Sequence, residues 1–287
     1  MKKFLAIVLV LALAVSFAAC SSSTTTTTDE TTTTDDTTTT TTEETTTTEE
    51  TTTTEETTTT EETTATEEDV KGEGVMTYEE YVAADLDTEV VVETYVQAKQ
   101  SWWEDKATIY TQDKDGAYFI YEMACSEEDY AKLEQGTKIK VTGYKSEWSG
   151  EVEITDATFE IEEGSYIAEA LDVTELLGTD ELINYQNRFV SFKGMTVAAA
   201  GQDENGNDVA YLYKWDGSGQ DGDDLYFNVT LGENTYTFTV ESYLCDNTTD
   251  VYAAVKALNV GDVIDMEGFL YWYEGVNPHI TSVTPAA

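Results

Sequence analysis

The groups in this chain that could do chemistry are few apart from its carboxylates. There is one histidine, His279, and there are three cysteines, Cys20, Cys125 and Cys245. A Ser-His-Asp relay needs partners that nothing around His279 identifies, and the neighbouring Pro278 predicts an ordinary exposed position in or just before the last strand. Zinc sites built from several histidines are excluded, and the separated cysteines make no CxxC pair. No phosphate loop and no GxSxG elbow is present. Acids are abundant, so calcium is the one metal whose ligand types are supplied. Three loops qualify: DKDG at Asp113, DENGND at Asp203 and DGSGQDGDD from Asp216 to Asp224. The last gathers Asp216, Asp221, Asp223 and Asp224, the oxygen-rich set that calcium takes from flexible loops. None ends on the glutamate of an EF-hand, and acidic turn residues chosen for solvation are the competing account. No cofactor is expected otherwise.

A second kind of chemistry is stacking. QSWWEDK places Trp102 and Trp103 among polar residues just after a strand-like run, where a core tryptophan does not belong. Trp148, the Tyr211, Tyr213 and Trp215 group, and the run Tyr271, Trp272 and Tyr273 have similar settings. What these rings do depends on the elements that carry them.

Those elements occur twice. LEQGTKIKVTGYKSEWSG from Leu133 aligns without a gap on LNVGDVIDMEGFLYWYEG from Leu258. Leu133, Gly136, Ile139, Gly143 and Gly150 match Leu258, Gly261, Ile264, Gly268 and Gly275, a fixed spacing that marks an internal duplication. Before each segment comes a short predicted helix, capped by Ser126 in one copy and by Thr249 in the other. Before each helix runs a strand ending near a cysteine, AYFIYEMAC or TYTFTVESYLC, preceded by hairpin signals at Asp113 and Leu231. Farther upstream, EVVVETYVQA and RFVSFKGMTVA are candidate first strands. TYEEYVAA and DVTELL read as short helices ahead of them.

The order strand, strand, strand, helix, strand, strand is that of an OB-fold, whose ligands lie on one barrel face and at the loops joining strands 1–2 and 4–5. ATIYTQDKDGAYFIYEM followed by GTKIKVTGY resembles the tandem OB-fold domains of secreted bacterial lipoproteins. The expected fold is therefore all-β with short helices: two five-stranded OB-like barrels, at 72–163 and 164–287, behind a tether. On that plan Trp102 and Trp103 fall on the first barrel's strand 1–2 loop and Trp148 on its strand 4–5 hairpin. Tyr211, Tyr213 and Trp215 fall on the second barrel's strand 1–2 connection, and Tyr271, Trp272 and Tyr273 on its strand 4–5 hairpin. Both copies thus set aromatic rings where an OB barrel takes its ligand. Rings that plug the barrel or pack the two domains together are the competing account.

The N-terminus supplies the address. MKKFLAIVLVLALAVSFAAC has a basic start, an apolar run too short to span a bilayer, and alanines before Cys20. It resembles a bacterial lipoprotein signal (residues 1–19), with Phe17 standing where leucine is usual. That implies a lipid on Cys20 and an extracytoplasmic, membrane-anchored protein, whose membrane contact is the diacylated cysteine. Residues 20–71 are almost only Thr, Asp and Glu. They have no apolar surface to bury, which predicts a disordered, self-repelling tether of roughly 160 Å at full stretch. With Cys20 lipidated, Cys125 and Cys245 are expected as two small buried thiols.

Charge shapes the expected partner. The formal net charge is −44, with Arg188 the single arginine. Phosphate affinity comes from Lys and Arg, so no nucleic-acid partner is expected. The favoured partner is a glycan or a peptide or protein, bound without catalysis by the aromatic loops, since a compact barrel leaves little room for a glycosidase cleft. A structural or assembly role in the cell envelope is one alternative. Single-stranded nucleic acid on the first domain is another, with Lys138, Lys140 and Lys145 as its basic group; the second domain does not repeat them.

Overall fold

The computed structural model describes residues 71–286. The readings made for the signal sequence, Cys20 and the tether lie outside these residues.

The described chain folds as two closed five-stranded barrels of the same topology. Helix α1 (Tyr78–Ala83) leads into β1 (Glu89–Lys99), β2 (Lys106–Gln112) and β3 (Ala117–Ala124). Helix α2 (Glu127–Tyr130), β4 (Thr137–Trp148) and β5 (Glu151–Ser165) complete the first barrel, in the order β1-β2-β3-β5-β4. The second copy begins with β6 (Leu171–Asp172) and two 3-10 turns, Thr174–Leu176 and Asp180–Tyr185, where DVTELL led one to expect a helix. Then come β7 (Phe189–Ala198), the small hairpin β8 (Gly201–Gln202) and β9 (Asp208–Val209), β10 (Tyr211–Tyr213), β11 (Leu225–Leu231) and β12 (Asn234–Val240). Helix α3 (Asp250–Lys256), β13 (Val263–Phe269) and β14 (His279–Pro285) follow. Here β7, β11, β12, β14 and β13 close the barrel, while β6 and β10 extend its sheet.

Local chemistry accounts for the match. Ser126 Oγ accepts from Asp129 N, and Thr249 Oγ1 accepts from Tyr252 N, so each helix has the hydroxyl cap that its orphan amides require. Gly136 and Gly261 follow these helices with φ of 88° and 97°, a region that L side chains disfavour. Their amides donate to the equivalent carbonyls Val96 O (2.7 Å) and Val197 O (2.8 Å). Gly143 and Gly268 sit at matching irregularities in the strand 4–5 ladder. A Cβ at either would run into the backbone of the neighbouring strand.

Each barrel has its own core, one around Val92, Ile120 and Val141 and the other around Phe192, Phe227 and Met266. A third cluster, Tyr110, Phe119 and Phe269, joins them. Tyr110 stacks on Phe269 at 4.4 Å, with the rings 17° from parallel. Polar contacts frame this seam. Gln112 Oε1 accepts from Phe189 N (2.8 Å), Asn187 Nδ2 donates to Val152 O (3.0 Å), and the Arg188 guanidinium donates to Asp115 O. The chain's single arginine is thus a seam residue.

Candidate functional site

The seam opens on one side into a cleft of about 610 Å³. Its rim is set by tight turns. Trp103 and Lys106 pair across Glu104 and Asp105, both with positive φ, which is the left-handed two-residue turn that hairpins favour. Trp148 precedes an equivalent turn at Ser149 and Gly150 and pairs with Glu151. Tyr273 precedes Glu274, again at positive φ. Each turn holds its ring at the end of a ladder, clear of either core. Trp103 is 68% exposed, Trp148 54% and Tyr273 45%. Trp148 and Tyr273, one from each barrel, lie 5.1 Å apart. Glu274 N donates to Ser149 O at 2.7 Å, so the two hairpin tips are tied together.

Neighbours in an extended segment point opposite ways, and Trp102 and Trp272, each next to a rim ring, turn inward. Trp102 is half-buried, and its Nε1 donates to Cys125 O at 2.9 Å. Trp272 packs against the second core and over Gly150. Tyr271 belongs to the floor, stacked on His279 at 4.3 Å and edge-on to Phe119 at 5.4 Å.

Several expectations need correction. Tyr211 and Tyr213 do not reach the cleft. The strand 1–2 connection folds into β8, β9 and β10, and β10 pairs with β11, so both rings pack half-buried on the second core. Trp215, 76% exposed, does not line the cleft; it borders a neighbouring depression with Leu212 and Tyr236, which meets the cleft at Tyr273 and Asn277. Asp216, Asp221, Asp223 and Asp224 do not converge. Asp216 accepts from Ser218 N, Asp223 from Gln220 N and Asp224 from Ser242 N, while Asp221 is taken by Lys256 and Asn247. Among the described residues no three acidic, cysteine or histidine side chains gather as a metal site. Two of the three lysines of the basic group are engaged within the first barrel. Lys138 pairs with Glu93 and Glu162, and Lys145 is buried, donating to the carbonyls of Tyr81, Val82 and Ala84 at the end of α1.

His279 is not exposed. It is 6% accessible and lies in the seam, where Tyr110 Oη and its Nδ1 are 2.7 Å apart. Burial keeps the imidazole neutral, with its pKa pulled down to about 3. Three acids nearby are pushed the other way by burial. Glu151, with 0% exposure, rises to about 9; Glu241, on the cleft wall, rises to about 7; Glu153 rises to about 6. At neutral pH, then, burial favours the protonated form of Glu151 and brings Glu241 into its titration range. Lys106 pairs with Glu122 at 2.5 Å at the cleft edge. Cys125 and Cys245 are buried free thiols, each raised to about 11 by burial.

Sequence reasoning missed Tyr121, Tyr243, Glu241 and Asn277, which all line the cleft. Tyr121 had a signal, since it alternates with the buried Ile120. The others depend on how the barrels meet, which no local pattern records.

No family model and no curated protein matches this chain. Solved structures do resemble it. A murine DNA-binding protein bound to double-stranded DNA is 11% identical with a TM-score of 0.32, over 69% of this chain and 96% of that one. The Ifi202 HINa domain with a 20-bp duplex is 11% identical with a TM-score of 0.31, over 70% and 98%. A replication protein A heterotrimer on single-stranded DNA is 10% identical with a TM-score of 0.31, over 74% and 52%. The expectation of a glycan or peptide partner, with nucleic acid left out, stands against these DNA-bound neighbours and is not carried forward. At such scores the likeness assigns no residue a role, and the cleft has to be read from its own groups. Burial keeps Glu151 neutral and Glu241 partly so, which trims the formal charge only slightly and leaves the chain strongly acidic.

Proposed function

We propose that this chain is a lipid-tethered, extracytoplasmic and non-catalytic module that takes single-stranded nucleic acid into the cleft between its barrels. The observation that carries the reading is the meeting of Trp148 and Tyr273, from the strand 4–5 hairpins of the two barrels, beside a cleft also lined by Trp103 of a strand 1–2 turn. These are the loops by which OB barrels bind oligonucleotides, and stacking of a base on an aromatic ring contributes about 1–3 kcal/mol.

The cleft lacks the basic track that usually follows the phosphates. Bases, not phosphates, therefore supply the affinity, with the phosphates turned to solvent. That reading implies short unpaired segments and a shallow dependence on salt, because few counterions are released. A non-catalytic role is supported by the sealing of Glu151, the acid with the most displaced pKa, away from any ligand.

The test is a titration of a fluorescent ten-nucleotide thymine strand with the protein from low to physiological salt. Saturable binding that changes little with salt is expected. Absence of binding, or a steep loss with salt, contradicts the proposal. The anchor has its own test: Cys20→Ser should move the protein out of the membrane fraction, and retention there would show that Cys20 is not lipidated.

A further inference from the structure

The floor of the cleft carries two hydrogen-bond donors whose direction is fixed. Tyr110 is completely buried, and its hydroxyl has one partner among the described residues, His279 Nδ1. A buried O–H left without an acceptor is costly, so Tyr110 donates and Nδ1 accepts. In a neutral imidazole the proton must then sit on Nε2. The neutral state is secured by burial. Nε2 has no protein partner, is not among the sealed unpaired atoms, and belongs to a side chain that lines the cleft. It therefore offers N–H to the cleft. Stacking on Tyr271 fixes the ring plane.

Asn277 lies two residues earlier and borders the same cleft. Pro278 between them is not among the cleft-lining residues, whereas Asn277 and His279 both are. Its Oδ1 accepts from Thr239 Oγ1 at 2.9 Å, which leaves Nδ2 as its free end. Two donors, one just before β14 and one at its first residue, thus border the cleft beneath the aromatic rim.

We propose that Asn277 and His279 read a base edge bearing two adjacent acceptors, and that guanine is the base selected within a bound strand. This rests on the reading of the cleft as a single-strand site. Guanine presents O6 and N7 together, whereas adenine sets an amino donor beside N7 and would oppose one protein donor with another. A purine also covers more of the Trp148 and Tyr273 rings than a pyrimidine does.

The experiment uses the full chain and thymine ten-mers carrying one central guanine, adenine, cytosine or 7-deazaguanine. The guanine strand should bind about tenfold more tightly than the adenine strand, a typical value for a two-point base contact. The 7-deaza strand, which lacks one acceptor, should fall to the adenine level. His279→Phe should remove the guanine preference and keep the residual stacking affinity. Equal binding of all four strands, or tightest binding of cytosine, overturns this inference and leaves the single-strand reading standing. No binding of any strand overturns both.

Nitrogen-15 NMR of the single histidine gives a readout that needs neither ligand nor variant. A proton on Nε2 is expected. A proton on Nδ1 would turn the floor into an acceptor and sink the proposal.

Discussion

In the first barrel, β1 and β2 are joined by residues 100–105, which end in a two-residue turn that sets Trp103 on the cleft. In the second, the same connection runs from residue 199 to 224 and folds a hairpin and a strand of its own. The strand 4–5 hairpins differ far less, and both bring a ring to the cleft, Trp148 and Tyr273. The comparison separates what a duplicated barrel keeps from what it lets go. Positions that shape the closed barrel recur: the capped helix, the positive-φ glycine after it, and the glycine at the strand 4–5 irregularity. The loops diverge, and a longer loop that can pair with its own barrel buries its tyrosines instead of offering them.

If the seam makes the two barrels one site, breaking it should give the largest effect. Phe269 stacks on Tyr110 and meets Phe189, so Phe269→Ala should cost about 3–5 kcal/mol in denaturant unfolding. The single transition should also split as the barrels lose their coupling. An unchanged single transition would mean that the seam contributes little.

A smaller effect should appear as pH dependence, because the seam buries groups of both kinds. Glu151 has a folded pKa of about 9 against an ordinary 4.5, so its contribution is full below pH 4.5 and is lost as pH rises toward 9. Glu241 adds the same sign up to about pH 7. His279 works oppositely: its contribution is full above pH 6.5 and is lost as pH falls toward 3. Thermal midpoints should therefore fall between pH 7 and 9, and Glu151→Gln should flatten that limb. A limb that stays equally steep in the variant would assign it to other groups.

The smallest expected effect concerns the long loop of the second barrel. Its four aspartates are engaged by separate partners, so millimolar calcium should leave the thermal midpoint where it was. A clear upward shift would show that the loop can gather them after all.

Much of this architecture was legible because it is local. Hydroxyl caps, left-handed glycines and the repeated Ile-x-x-x-Gly spacing are each fixed by a few neighbouring residues. So was the opposite facing of Trp102 and Trp103, which follows from the two-residue period of an extended chain. What was not legible depends on how the barrels dock. Nothing beside Pro278 says that His279 will be sealed against Tyr110, 169 residues away. Lys145 reads as a surface cation until α1 is seen to aim its carbonyls at it. The long loop misled for a related reason: the Tyr-Leu-Tyr of β10 has the composition of a strand, and a pairing partner decides whether such a run is a loop or an edge.

The most direct test sets one barrel's hairpin against the other's loop. Trp148→Ala and Trp215→Ala both remove an exposed ring, so neither should change the thermal midpoint by much. A thymine ten-mer titrated against each should bind the Trp148 variant about 1–3 kcal/mol more weakly than the parent protein, and the Trp215 variant equally well. Equal affinity in all three proteins, or a loss confined to the Trp215 variant, would contradict a ligand site in the cleft between the barrels.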